Sequence, residues 1–379
     1  MFDGVRLSLL IGPVVVVPAP QVIMEALTSV EVTSSDSGPT LFQLTFGLSN
    51  RSPLQTLLLL GGGGPILFLR VIITVTVRGN PTVLVDGVIT DHQIAPGTDE
   101  THSSLVITGE DITALMNQQD FSGLPFPAMP AEGRVALLLA KYLIFGVIPA
   151  IVPSMLIDVP IPTSSIPSQS GTDLEYIKGL AERVGYVFYV DPGPVPGVNV
   201  AYWGPQIKIG IPQPALNVDM DAFTNVQSLT FRFNSQMNKI PTVFIYDELT
   251  KFPIPIPIPP ITPLSPPLGL FPPIPTSLAD LRPVADNLSK LPISQAIMIG
   301  LAKAASFAEA VTGEGTLDVV RYGRVLKARQ LVGVRGVGPA FDGLHYVKSV
   351  KHNIKPGSYT QSFTLSRNGL VSTLPAVPV

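Results

Sequence analysis

The sequence predicts a mainly β chain with α insertions, an α+β fold in which two similar antiparallel β-barrels flank a helical or mixed insert. Three observations predict it. Runs rich in Val, Ile, Thr and Phe, set apart by Gly, Pro, Asn and Ser clusters, fill both ends of the chain. One strongly amphipathic helix stands in the middle, and short sequence matches connect the two strand-rich ends.

The first barrel is expected over 1–112, from strands at Val30–Val32, Leu41–Leu48, Phe68–Val77, Thr82–Thr90 and Ser103–Thr108. Ile72, Thr74, Thr76 and Arg78 alternate with Val71, Ile73, Val75 and Val77, the period of a sheet with one face more buried. The apolar start, Leu7–Val17, follows Arg6 and has the look of a secretory leader. Asp3, Pro13, Pro18 and the lack of a small-residue cleavage site argue against that reading. Leu57–Leu60 runs straight into Gly61, Gly62, Gly63, Gly64 and Pro65, the composition of a loop between strands.

The insert is expected over 113–215. Val135–Ile157 is apolar and reaches the roughly 20 residues that span a bilayer, but Lys141, Pro149 and Pro153 favour a buried or interface helix. In Thr172–Gly185, Leu174, Ile177, Leu180, Ala181 and Val184 fall on one helical face. Thr172 with Glu175 forms a capping box, and Gly185 is the expected stop. Strands are expected at Tyr186–Val190, Val198–Trp203 and Gln206–Ile209, with Pro192, Pro194 and Pro196 making a rigid loop between the first two.

The second barrel is expected over 216–250 and 314–379, interrupted by a proline-rich loop and helical insertion at 251–313. Its strands are Ser228–Phe233, Thr242–Tyr246, Leu317–Val319, Leu326–Val334, Leu344–Asn353 and Tyr359–Ser366. Between them, Phe252–Pro275 places proline at nearly every second position, which bars helix and central strand and favours an extended polyproline II surface excursion. Helical patterns occupy Leu278–Leu288 and Ser294–Val311. As for the repeat, Leu44-Thr45-Phe46 is matched by Leu229-Thr230-Phe231, and Asp91-His92-Gln93-Ile94 by Lys351-His352-Asn353-Ile354. After each histidine comes a turn and a strand, Ser104–Ile107 and Ser362–Leu365.

Composition narrows the function. With 13% charged and 46% hydrophobic residues the chain is folded rather than disordered, and so few charges fit a surface largely covered by partners. A net charge of −3 leaves no basic footprint for nucleic acid. The absence of cysteine excludes disulfides and thiolate metal sites.

The common catalytic motifs are missing. Gly333, Gly336 and Gly338 make an incomplete glycine fingerprint that reads better as a turn between strands. Of the four histidines, His92 and His102 stand near Asp91, Asp99 and Glu100, which could frame a metal or acid–base site but read better as the polar flanks of a hairpin. Asp219-Met220-Asp221 has the DxD form of a metal ligand pair, without the nucleotide-binding unit that gives such a pair its purpose, so a strand-entry loop is the better reading. Asp342-Gly343 reads as a turn, and His345 and His352 complete the inventory. No catalytic, cofactor-binding or metal residue is assigned.

The last segment carries a family likeness. Gly315-Thr316-Leu317-Asp318-Val319-Val320-Arg321-Tyr322-Gly323-Arg324-Val325-Leu326-Lys327-Ala328-Arg329 leads into Leu331–Gly336, then Phe341–Val350 and Ser362–Leu370. With Gly171–Leu174, the run to Tyr189 and Ala201-Tyr202-Trp203-Gly204-Pro205, this resembles the phage late control gene D family, the baseplate hubs of contractile tails, and most of all the hubs of extracellular contractile injection systems. The resemblance implies two tail-tube-like barrels per chain and a homotrimer, so that three copies present six barrels and join a three-fold spike to the six-fold inner tube. It implies a structural protein without a cofactor, assembled in the bacterial cytoplasm among other baseplate proteins, with no stable membrane insertion. Hubs of this kind often continue into an oligosaccharide-binding-like spike domain; none follows before Val379, so the spike is expected as a separate polypeptide or a severed continuation. A cell-wall hydrolase of the puncturing device and a membrane-anchored component are the competing readings.

Overall fold

A computed structural model describes residues 4–48, 69–95, 103–154, 166–234, 240–246, 253–258, 266–271, 281–283, 297, 300–301 and 309–373. The run Leu57–Leu60 with its following glycines, and most of 278–288 and 294–308, lie outside the described residues.

The first strand-rich region holds β1 (Val5–Gly12), β2 (Val17–Pro18), helix α1 (Gln21–Ala26), β3 (Leu27–Ser35), β4 (Leu41–Leu48), β5 (Arg70–Val77), β6 (Asn80–Ala95) and β7 (Ser103–Asp111). The leader-like start is therefore a strand: β1 pairs along its whole length with β5, Val5 opposite Val77 and Gly12 opposite Arg70. Its apolarity serves the core, where Val5 and Leu9 are buried.

The middle region holds α2 (Thr113–Met116), α3 (Ala131–Ala140), β8 (Val147–Ile151), α4 (Asp173–Arg183), β9 (Val187–Pro192) and β10 (Asn199–Gly204). The single helix expected over Val135–Ile157 is instead a helix, a 3-10 turn at Leu143–Phe145 and a strand. Gly146 makes the break: its φ is 73°, and a β-carbon there would sit 1.9 Å from the Gly197 carbonyl oxygen. Helix α4 forms with both halves of the Thr172–Glu175 capping box, and its apolar side packs with Val135, Leu138 and Trp203 into a second core. The strand expected at Gln206–Ile209 has no ladder partner among the described residues.

The second strand-rich region holds β11 (Gln213–Asn217), β12 (Val226–Phe233), β13 (Ile240–Tyr246), β14 (Pro253–Pro257), β15 (Gly269–Phe271), β16 (Leu281–Pro283), β17 (Val311–Asp318), helix α5 (Val319–Tyr322), β18 (Leu331–Arg335), β19 (Gly343–Lys355), β20 (Ser358–Arg367) and β21 (Leu370–Ser372). Thr242–Tyr246, expected in the second barrel, lies in a separate three-stranded sheet of order β14-β13-β16. The proline run supplies the edge strand β14 rather than polyproline II alone. Proline at alternate positions leaves the strand short of donors, a pattern that only an edge position tolerates. Leu281–Pro283 is strand where helix was expected, and Pro283 is a poor helix-interior residue.

Thirteen strands form one sheet along the path β12-β17-β20-β19-β3-β4-β7-β6-β5-β1-β2, with β11 and β18 branching from β19. The two regions repeat one strand order. The first reads β3-β4-β7-β6-β5 and the second β12-β17-β20-β19-β18, all antiparallel and in the same sequence along the chain. The sixth strands differ in direction, β1 antiparallel to β5 and β11 parallel to β18. Both long strands carry a one-residue bulge at the same place. In β6 it is Thr90, after Ile89 opposite Gly109 and before Asp91 opposite Thr108; in β19 it is Lys348, after Val347 opposite Leu365 and before Ser349 opposite Thr364. Each bulge lies where the strand leaves one partner, β5 or β18, and continues with the other, β7 or β20. Among the described residues no ladder returns from the last strand of either repeat to its first, so backbone pairing closes neither into a barrel. The repeats are joined by β3 and β19, antiparallel from Val30–Ile354 to Ser35–Ser349, and share one apolar core.

This register corrects the sequence matches. Aligned on the bulges, His92 corresponds to Val350 and Ile94 to His352, so the histidine motif was matched two residues out of step. The Leu-Thr-Phe match pairs β4 with β12, whereas the strand order places β4 with β17.

Candidate functional site

Among the described residues, those with candidate chemistry do not come together. Asp91 and His92 are exposed, and His102, Asp99 and Glu100 lie outside the described residues. Asp219 and Asp221 occupy left-handed backbone, φ 50° and 49°, in the exposed turn between β11 and β12. Gly336 and Gly338 also have positive φ and turn the chain after β18, while the Asp342 carboxylate accepts from the Val337 N–H within that loop. Among the described residues no group of three or more His, Asp or Glu could hold a metal, and no helix is long and apolar enough to cross a membrane.

Buried ionisable groups serve packing. His345 is held by the Gly343 carbonyl at 3.2 Å, and burial with the nearby Arg367 lowers its pKa to about 3. His352 meets the Tyr359 hydroxyl at 2.8 Å and is pushed down to about 3 by burial. Asp111 accepts from the backbone N–H groups of Thr40 at 2.6 Å and Thr113 at 3.0 Å, tying the β3–β4 turn to α2; burial outweighs these bonds and raises its pKa. Arg70 donates twice to Asp86 at 2.6 Å and once to the Phe145 carbonyl at 2.7 Å, and Asn199 donates to Asp86 at 2.8 Å, fastening the middle region to the first repeat.

The feature that stands out is a face. Side chains alternate along a strand, so each cross-strand row shows one side of the sheet. One row runs Ser228, Thr316, Ser362, Lys351, Thr33, Leu41 and Glu110 across β12, β17, β20, β19, β3, β4 and β7. A second runs Asp318, Thr360, Asn353, Glu31, Gln43, Thr108 and Asp91, ending on β6. The row between them, Leu317, Gln361, His352, Val32, Phe42 and Gly109, points to the core. The outward face is thus mostly short hydroxyls, amides and charges, continuous through the β3–β19 junction. Lys351 and Glu31 pair on it across that junction at 2.7 Å.

Both ends of this face are open. No strand pairs with the outer edge of β12 among the described residues, and β6 beyond its bulge pairs with β7 alone. Inward-facing apolar residues are left uncovered there: Ile94 is 42% and Phe233 37% exposed. Composition alone did not locate this face. The alternation of Ser, Thr and charge with apolar residues in β3, β4, β12 and β20 was its signal, but only the register shows that the strands line up.

No family model and no curated protein matches the sequence. Solved structures do. A tail protein from Neisseria meningitidis is similar at TM-score 0.60 and 14% identity, over 97% of this chain and 98% of that one. The 43 kDa tail protein of prophage MuSo2 from Shewanella oneidensis is similar at TM-score 0.61 and 13% identity, over 97% and 99%. A chain of the Francisella PdpA–VgrG complex is similar at TM-score 0.59 and 10% identity, over all of this chain and 55% of that one. This chain is mainly β and shares its fold with these tail proteins over 97% of its length.

Proposed function

We propose that the chain is a structural baseplate hub of a contractile injection system or phage tail, a homotrimeric adaptor between a three-fold spike and a six-fold inner tube, and not an enzyme. The observation that carries this reading is the doubled strand order sharing one continuous polar face. Three copies of a chain with two equivalent units present six units in a closed ring. The eight strands from β12 to β6 in each chain would give ~24 strands, a circumference of about 115 Å and a backbone-to-backbone diameter of about 37 Å at 4.8 Å per strand, more with tilt. A wall of Ser, Thr, Gln and charge keeps such a bore wet and unsticky toward passing cargo. The regions 1–112 and 216–250 with 314–379 act in this reading as tail-tube-like barrels closed by their neighbours, with 113–215 and 251–313 on the outside. Likeness to tail proteins and to a chain of a VgrG complex supports tube and spike as partners.

In this ring the open edge of β12 of one copy receives the β6 segment 91–95 of the next, covering Ile94 and Phe233. The chain has no cysteine, so engineered pairs report without background. Ile94→Cys combined in turn with Leu229→Cys, Phe231→Cys or Phe233→Cys, oxidised in the presence of the spike, is expected to give a covalent trimer on a non-reducing gel. Covalent hexamers, or no cross-link from any pair, would contradict the ring.

A further inference from the structure

A groove of about 390 Å³ lies between the β5–β6 hairpin of the first repeat and the 324–330 segment of the second, with Ile211–Pro214 along its side. Val77 and Val325 line it but are buried, so its accessible apolar lining is Pro212 and Pro214, with Ile211 at its rim 94% exposed. Its charged lining is of one sign, Arg324 and Lys327. Both are exposed, and neither is ion-paired among the described residues. Asp191 is near enough to feel Lys327, yet it is bonded to Arg329.

The segment presenting these cations is fixed, although it is not a strand. The Gln361 side chain accepts from the Leu326 N–H at 2.9 Å and donates to its carbonyl at 2.8 Å. Gln213 does the same for Lys327, at 2.8 and 2.9 Å. Two glutamine amides thus replace a neighbouring strand, burying Val325 and Leu326 while Arg324 and Lys327 face out. A pre-ordered backbone removes part of the entropy cost of binding. Unpaired cations beside the accessible apolar strip of Ile211, Pro212 and Pro214 are complementary to a chain carrying carboxylates and aliphatic side chains. A nucleic acid fits less well, since no aromatic ring lines the groove for stacking.

We propose that this groove docks an acidic segment of a partner protein, anchored by aliphatic side chains against Ile211, Pro212 and Pro214 and by carboxylates on Arg324 and Lys327. The proposal does not rest on the trimeric ring. The test is fluorescence anisotropy of the full chain with short labelled synthetic peptides alternating Glu with Leu, with Lys in place of Glu, or with Ser in place of Leu, and with an oligothymidylate. The Glu–Leu peptide is expected to bind, and to bind more weakly as salt is raised. Arg324→Glu with Lys327→Glu should weaken it at least about tenfold, a loss of about 1.4 kcal/mol, and Ile211→Ser should weaken it measurably without altering the charges. No binding of the Glu–Leu peptide, equal binding by the charge-reversed protein, equal binding of the Glu–Ser peptide, or tighter binding of the oligothymidylate would each overturn the proposal.

Discussion

Arg70 and Leu331 occupy the same place in the two repeats, and so do Asp86 and Leu344. Arg70 stands opposite Val88, two residues before the Thr90 bulge, and Leu331 opposite Tyr346, two before Lys348. Asp86 faces Ile72 as Leu344 faces Gly333. In the first repeat the pair is a buried guanidinium and carboxylate, joined by Phe145 and Asn199 of the middle region. In the second it is two leucines, clustered with Tyr346 and with Leu268 from the proline-rich insertion. One sheet position therefore accepts two kinds of cover. The charged version demands exact partners and fixes how the middle region sits; the apolar version holds its cover by burial alone.

Breaking the charged version should have the largest effect. Arg70→Leu leaves Asp86 buried without its cation and is expected to cost about 3–5 kcal/mol in denaturant unfolding. Adding Asp86→Leu, which writes the second repeat's pair into the first, should restore most of that loss. If the double variant is as unstable as the single, the equivalence of the two positions as packing sites fails. In the second repeat, Leu331→Ala should cost about 2–3 kcal/mol, low in the range for Leu→Ala because the cluster is small.

The repeats also differ in their response to pH. His352 corresponds to the exposed Ile94, and His345 to Gly87. Both histidines are held near 3 in the fold, so the unfolded chain takes up their protons first, at about 6.5. Their contribution is therefore complete above about pH 6.5 and is lost as pH falls from there toward 3, by at most ~1.4 kcal/mol per pH unit for each histidine. Replacing His352 with the first repeat's residue, His352→Ile, should flatten stability against pH between about 6.5 and 5.5 by up to that amount. An unchanged slope would mean that His352 keeps its proton equilibrium on folding. The smallest effect is expected outside the repeats: Thr172→Ala removes the cap of α4 and should cost ~1 kcal/mol.

Much of the β framework was legible because strands with one buried face alternate. Leu41–Leu48 was found at its observed limits, and Thr172 as the cap of α4. Strand β1 was obscured because Leu9–Ile11 and the following Val14–Val17 make a nearly continuous apolar run, the pattern of a leader, although Arg6 and Ser8 mark its exposed face. The Val135–Ile157 stretch was obscured because apolar runs do not show where a helix gives way to a strand; Gly146 was the mark to read. The repeat was legible in kind and misplaced in detail. A period of two makes a shift of two residues invisible in sequence, and His92 and His352 share a face without sharing a position. The polar face could not be found from the sequence, since it depends on β3 meeting β19 across more than 300 residues of chain.

Copy number tests most directly the proposed closed ring of two equivalent repeats per chain. Native mass measurement of the chain with the proposed spike partner, followed by imaging of the ring, should give three copies and six density units alternating between the two repeats. A chain that stays monomeric with that partner, or a ring of six copies in the assembled baseplate, would contradict it.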